Sequence, residues 1–373
     1  MQLRSLPKLR SITKLSPTLF ATLKQCPLRV GLRQAKAQQT TRSSKAALLG
    51  TIAHRVLEKA STMHRNSDNL QTQAKATWDK TVDEVKKELQ ASPFDRCLLP
   101  ITRWKKYYLL RARTIRRCEE IALNHGISET QVIASERKFE SVRYGFTGKP
   151  DLILRRANGL VIIDYKSGEL PNDPENREEK IELWQQQILF SAAIIKETSG
   201  ELPVKGEIRL LNNEVIHIPI NLQKVKTLSE EAQALKENYN TKVEMGVAYS
   251  ELAQYSVDGC AFCEFKGACN TFWKENPQPI PGTDEYGCLS GRVLKVTTGK
   301  SKNRSIVIRY RKLDGSSQEW QILNLSAEQF GDLEELKQGT LVRLLNFKIE
   351  SDKSYRAKPT QNSVIWEVPE SFL

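Results

Sequence analysis

Two short motifs bracket a turn signal, and together they constrain this chain more than any other feature. The first is Gly148-Lys149-Pro150-Asp151 and the second is Asp164-Tyr165-Lys166-Ser167-Gly168. Between them lies Ala157-Asn158-Gly159-Leu160, and Asn-Gly is a preferred centre for a two-residue β-hairpin turn because both residues tolerate positive φ. With Asn158-Gly159 at the turn, Ala157 faces Leu160 and Asp151 faces Lys166. Asp164 then shares their face, since side chains alternate along a strand. A change of register at the turn would undo this placement. Asp164 also breaks an apolar run, Leu160-Val161-Ile162-Ile163, and a carboxylate entering a buried strand is costly unless it is paired or binds metal. An Asp151–Lys166 ion pair at a sheet edge is the plain reading. A catalytic cluster of two carboxylates and one amine is the sharper one.

Around the hairpin, helical and strand patterns alternate. Ser16-Pro17 reads as an N-cap followed by a first-turn proline. Two helices are expected over 16–60, with further helices at 71–91, 102–124, 181–197 and 222–245. Strand character fills 132–166. Runs at 204–210 and 214–220 flank Asn212-Asn213, a hairpin turn. Three prolines and a glycine between Asn276 and Gly282 mark a linker, because proline cannot continue a helix. Beyond it come strands at 289–298, 304–311 and 317–323, a helix at 325–337, and strands at 340–348 and near 363–367. Three strands, one helix and two strands is the element order of an OB-fold, a five-stranded barrel that often binds oligonucleotides.

The motifs of residues 50–190 resemble, in order, those of the RecB-like branch of the PD-(D/E)XK nucleases. The early G-x-x-x-H is Gly50-Thr51-Ile52-Ala53-His54, the acid ahead of the hairpin is Glu136, and Asp151, Asp164 and Lys166 occupy the core. The Q-x-x-x-Y of the next helix is matched by Gln186 but carries Phe190 in the tyrosine position. The resemblance implies a restriction-endonuclease-like α/β fold, a mixed sheet flanked by helices, over residues 1–282, with the small all-β, OB-like barrel at 283–373. It implies Mg²⁺ or Mn²⁺ held by Asp151, Asp164, His54 and the Tyr165 carbonyl, with Lys166 positioning water. Glu136 would organise the site, and Gln186 would orient groups on the same face.

Cysteines are the other chemical signal. Cys260, Cys263 and Cys269 form C-x2-C-x5-C, three thiols at ligand spacing and one short of a closed site. The resemblance extends to the iron–sulfur subset of these nucleases, and it implies Cys26 as the fourth ligand of a 4Fe-4S cluster, with zinc as the rival occupant. Such a clip would close a loop worth about 4–5 kcal/mol, by analogy with a long disulfide loop. Cys97, Cys118 and Cys288 have no partner motif. The lack of a signal peptide or a membrane-length apolar run points to reduced thiols in a cytoplasmic protein, with organelle import the lesser alternative.

The net charge of +13 is unevenly spread. Residues 1–50 hold ten Lys/Arg and no acid. Residues 102–117 hold seven, interleaved with Trp104, Tyr107 and Tyr108, and residues 290–312 hold eight. Local excess of this kind suits a polyanion partner, although each block could equally be a solvated face. Gly299-Lys300-Ser301 lacks the earlier glycine of a phosphate-binding loop, so no ATP-driven motor is expected. Taken together, these signals predict a DNA nuclease of repair or recombination that prefers single-stranded ends and relies on a separate helicase for unwinding. A non-catalytic DNA-binding or scaffold subunit is the alternative. On the barrel, Trp320 and Tyr310 are candidate base-stacking residues.

Overall fold

Ser16 and Pro17 open the first helix as their chemistry dictates. The Ser16 side chain accepts from the Leu19 N–H at 3.2 Å, and α1 runs over Pro17–Gln25. The structure, a computed structural model, describes residues 1–372 apart from 61, 62, 64–68, 93, 125–130, 136, 277, 278, 280, 282, 283, 300–302, 312–315, 332, 334, 335 and 351–353. Glu136 and much of the proline-rich linker therefore lie outside the described residues. Helices α2 (Pro27–Gln34), α3 (Lys45–Glu58), α4 (Leu70–Ala91) and α5 (Tyr107–Asn124) follow α1. Strands β1 (Gln131–Ser135), β2 (Phe139–Ser141), β3 (Phe146–Gly148), β4 (Leu152–Arg156) and β5 (Gly159–Lys166) come next. Then come α6 (Pro174–Ser199), β6 (Lys205–Leu210), β7 (Val215–Pro219) and α7 (Leu222–Glu244). The chain divides into two compact units, one of residues 11–24 and 43–242, the other of 1–10, 25–42 and 243–373.

The first unit is built on a mixed five-stranded sheet, ordered β1-β4-β5-β6-β7. Only β5 and β6 run parallel; the other neighbours are antiparallel. β5 is the central strand, and its apolar run Leu160–Ile163 is buried throughout, as expected of a strand covered on both faces. Val161, Ile163 and Tyr165 join a core cluster with Ile52, Val56, Trp78, Val85 and Leu110 from α3, α4 and α5. The even-numbered positions of β5 face α6. There Gly206, paired with Ile162, leaves so little room that a Cβ would stand 2.3 Å from Ile188. Phe190 of α6 is fully buried between Phe20 and Phe146, at centroid distances of 5.9 and 4.4 Å. The phenylalanine in the motif's tyrosine position is thus a core residue.

The hairpin register differs from the sequence expectation. Arg156 pairs with Gly159 and Leu152 with Ile163, so Ala157-Asn158 occupy the turn and Gly159 sits at φ +120. Extended one step, this register sets Asp151 opposite Asp164 rather than opposite Lys166. Moving the turn by one residue on each arm shifts every pairing by two, and a shift of two preserves the face on which each side chain lies. The two carboxylates and the amine therefore stay together.

The second unit carries short helices α8 (Tyr249–Leu252), α9 (Val257–Ala261) and α10 (Asn270–Glu275) and the C-terminal strands. β8 (Tyr286–Thr298), β9 (Arg304–Arg311) and β10 (Ser317–Leu325) form a meander. The one-turn helix α11 (Ala327–Phe330) leads to β11 (Leu341–Ile349) and β12 (Arg356–Lys358), and β13 (Val364–Glu367) ends the sheet. β12 pairs parallel with β10 and antiparallel with β11, closing a five-stranded barrel, and β13 flanks β11. The closing strand is thus 356–358, a three-residue segment whose pattern is too short to read. The strand expected near 363–367 lies outside the ring. Inside, Leu289, Ile306, Ile308, Trp320, Ile322, Leu344 and Phe347 form the core. Trp320, expected as a stacking residue, is 1% exposed and belongs to this core.

Candidate functional site

Just before β4 begins, Asp151 continues its edge by other means. Its Oδ2 accepts from the Tyr165 backbone N–H at 2.6 Å, replacing the ladder bond that a longer β4 would have supplied. This fixes one carboxylate beside the C-terminal end of β5. Asp164 and Lys166 follow on the same face, with Lys166 Nζ 2.8 Å from Asp164 Oδ2. That approach is an ion pair by distance, but its angles do not make a hydrogen bond, and Oδ2 is buried with no hydrogen-bond partner. The directed bond of the ammonium goes instead to Gln187 Oε1 on α6, at 2.7 Å.

His54 reaches the same place from α3. Its Nδ1 lies 4.0 Å from Asp151 Oδ2. Burial pushes its pKa below the ordinary histidine value, against the pull of the Asp164 carboxylate, so the neutral ring that can act as a ligand is favoured. Four residues earlier, Gly50 lets α3 approach the end of β5, where a Cβ would meet Ser167 Oγ at 2.9 Å. The Tyr165 side chain points the other way, into the helical core, and burial raises its phenol pKa. His54, Asp151, Asp164 and Lys166 are thus gathered at one end of β5. Gln186 is half-buried, its Oε1 without a partner. Its neighbour Gln187, which sequence reasoning passed over in a run of three glutamines, is the one that meets Lys166.

Among the described residues, no group of three or more His, Cys, Asp or Glu side chains is placed to hold a metal ion. Asp151 accepts from a backbone N–H and Asp164 pairs with the lysine. The donor types nevertheless suit a hard divalent ion, and the buried Asp164 oxygen, which makes no hydrogen bond, is a group that such an ion would satisfy.

In the second unit, Cys26, Cys260, Cys263 and Cys269 all line one cavity, together with Tyr255, Lys266 and Phe272. Arg29 donates to the Phe262 carbonyl and, with Arg33, pairs with Glu264, which fastens the helix after Cys26 to the cysteine segment. Burial raises the Cys260 and Cys269 thiols and pushes Cys263 up to about 12, with the neighbouring Cys26 raising all three further. Thiols in such a place stay protonated unless a cation compensates their charge, which is what metal ligation does. The four cysteines share one cavity, although their side chains are not placed as a metal-holding group. Next to it, Arg343 of β11 donates to the Gly267 carbonyl and the Asn270 side chain, and Lys266 donates to Asn346 Oδ1. On the barrel wall a cleft of about 510 Å³ is lined by Arg292, Arg309, Tyr310 and Trp273.

Of the basic–aromatic block at 102–117, Trp104 and Tyr107 are core residues, whereas Tyr108 is 71% exposed. No helix among the described residues is long and apolar enough to cross a membrane.

No curated protein matches the sequence. A solved structure from Eubacterium rectale, described as a "Putative exonuclease", aligns with 11% identity and a TM-score of 0.40, covering 72% of this chain and 90% of its own. The family model of the PD-(D/E)XK nuclease superfamily matches residues 14–270, more than half of the chain and all of the β4–β5 hairpin with its carboxylates and lysine. The chain belongs to the PD-(D/E)XK nuclease superfamily.

Proposed function

We propose that the protein is a deoxyribonuclease that hydrolyses phosphodiester bonds at the Asp151–Asp164–Lys166 site, working from single-stranded ends in DNA repair or recombination. The observation that carries this reading is Lys166, held between Asp164 and Gln187 on the face that also bears Asp151. Asp151, Asp164, His54 and the Tyr165 carbonyl would hold Mg²⁺ or Mn²⁺, which when bound supplies charge neutralisation at the phosphate and a more acidic water. Lys166 orients the attacking water, and Gln187 keeps its ammonium from collapsing fully onto Asp164. Glu136 and Gln186 remain assigned as organising residues. The four cysteines would carry a 4Fe-4S cluster, with zinc the less favoured occupant. The barrel, read as OB-like, would track a strand with Arg292, Arg309 and Tyr310. Unwinding would fall to a separate helicase subunit.

The test is cleavage of end-labelled and circular DNA, single- and double-stranded, by anaerobically purified protein with Mg²⁺ or Mn²⁺. Loss of cleavage in Asp164→Ala and Lys166→Ala, with circles spared, supports an exonuclease at this site. Folded protein that binds DNA and cuts nothing under either metal overturns it in favour of a non-catalytic scaffold subunit.

A further inference from the structure

The loop after Lys166 is gripped by three cations. Glu169, three residues on, has each carboxylate oxygen on a different cation: Lys106 Nζ stands 2.6 Å from Oε2 and Arg113 NH1 2.7 Å from Oε1. A third cation, Lys180 of α6, donates to the Glu169 backbone carbonyl at 2.8 Å and lies 5.4 Å from the Trp184 ring centroid. Three cations from α6, α5 and the turn before α5 thus converge on one residue beside the candidate catalytic lysine, with one carboxylate among them. Ion pairs as exposed as these contribute little to stability. Lys106 also sits at φ +68, a left-handed conformation that is strained in a residue with a Cβ. Immediately after that turn Tyr107 is fixed in the core, where its hydroxyl accepts from Trp78 Nε1 at 3.2 Å. The strained turn delivers the Lys106 ammonium to the Glu169 carboxylate.

A carboxylate whose two oxygens rest on two cations imitates the two non-bridging oxygens of a phosphodiester. We propose that Lys106, Arg113 and Lys180 form a cradle for a backbone phosphate of the nucleic-acid strand adjoining the scissile bond, with the Glu169 carboxylate as the internal anion that the phosphate displaces. The proposal rests on the nuclease reading and names how that site grips its strand. Hydrogen bonds from Lys106 and Arg113 hold the Glu169 carboxyl at a pKa of about 2, so the cradle stays charged and assembled at neutral pH.

The experiment is binding of a labelled single-stranded oligonucleotide to the full-length protein in EDTA, across a salt series, where no cleavage occurs. Lys106→Gln and Arg113→Gln are each expected to weaken binding roughly threefold to tenfold and to flatten the dependence of log K on log salt by about 0.7. Glu169→Gln is expected to bind more tightly, and Lys106→Arg to recover most of the loss. Salt slopes equal to the parent's in both cation variants, or weaker binding by Glu169→Gln, overturn the cradle. A change in melting temperature with no change in slope also counts against it, as the mark of a structural role. Asp164→Ala, assayed alongside for cleavage with metal restored, separates the two readings. If it still cuts while the salt slopes shift, the catalytic assignment fails and the cradle stands. If it is inert while the slopes stay put, the reverse holds.

Discussion

Lys166 is the residue whose neighbours decide its chemistry. Between a carboxylate at 2.8 Å and an amide oxygen at 2.7 Å, its ammonium is held by one charge and one directed bond. Gln187→Ala is therefore expected to lower kcat on end-labelled DNA by about tenfold to a hundredfold with little change in KM, as small displacements of a positioning group do. Gln186→Ala should cost less, and steady-state kinetics on the pair ranks them. The motif spacing pointed to Gln186, and neighbouring residues on a helix differ by about 100° in direction, so only the packing of α6 against β5 reveals which amide arrives. A second residue is legible only in three dimensions. Glu207 is 3% exposed, and although burial works against its charge, hydrogen bonds from Arg209, Arg156 and Lys205 outweigh it and hold its pKa at about 2. Its folded pKa lies below the unfolded one, so its stabilisation is complete above the ordinary glutamate value and is lost as pH falls from about 4.5 toward 2. That amounts to at most about 3 kcal/mol. Glu207→Gln should lower the melting temperature at pH 7 and flatten the acid limb of a stability-versus-pH curve; an unchanged limb would place the acid sensitivity elsewhere.

The β4–β5 hairpin and α6 form the element on which the site depends. Strand alternation puts both carboxylates and the lysine on one face, and a turn one residue earlier than Asn158-Gly159 keeps them there because an even change of register leaves parity intact. Asn-Gly can offer its glycine as the residue after a turn as well as within it, and here Gly159 opens β5 at positive φ. The helix bearing Gln187 is seated by Gly206, where an added Cβ would collide with Ile188 at 2.3 Å. Gly206→Ala is expected to destabilise the protein by about 1–3 kcal/mol through overpacking and to reduce turnover by displacing α6. The double variant Gly206→Ala/Ile188→Ala should recover much of both losses. Recovery of stability without recovery of turnover would separate the packing of α6 from the placement of Gln187.

At the scale of the whole chain, the proline-rich linker invited a cut at 282, but contacts of the second unit cross it. Arg343 and Asn346 of β11 bind Gly267, Asn270 and Lys266 in the cysteine segment, and Trp366 Nε1 donates to the Thr40 carbonyl at 2.7 Å. No pattern of apolar residues reports such long-range polar ties, so they were invisible in the sequence. A chain truncated after 282 is expected to expose Cys260, Cys263 and Cys269 to a thiol reagent faster than the full-length protein, measured without any metal. Equal labelling rates would show that the cysteine segment stands without the barrel. The unit's discontinuity also orders events in time. Residues 25–42 leave the ribosome more than two hundred residues before the segment that they grip. At roughly 5–20 residues per second they wait about ten seconds or more for it. The first unit, whose last residue is 242, can fold during synthesis, whereas the second is complete only once 243–373 have been made. Slowing translation between 243 and 373 would then lengthen the interval in which Cys26 lacks the residues that share its cavity.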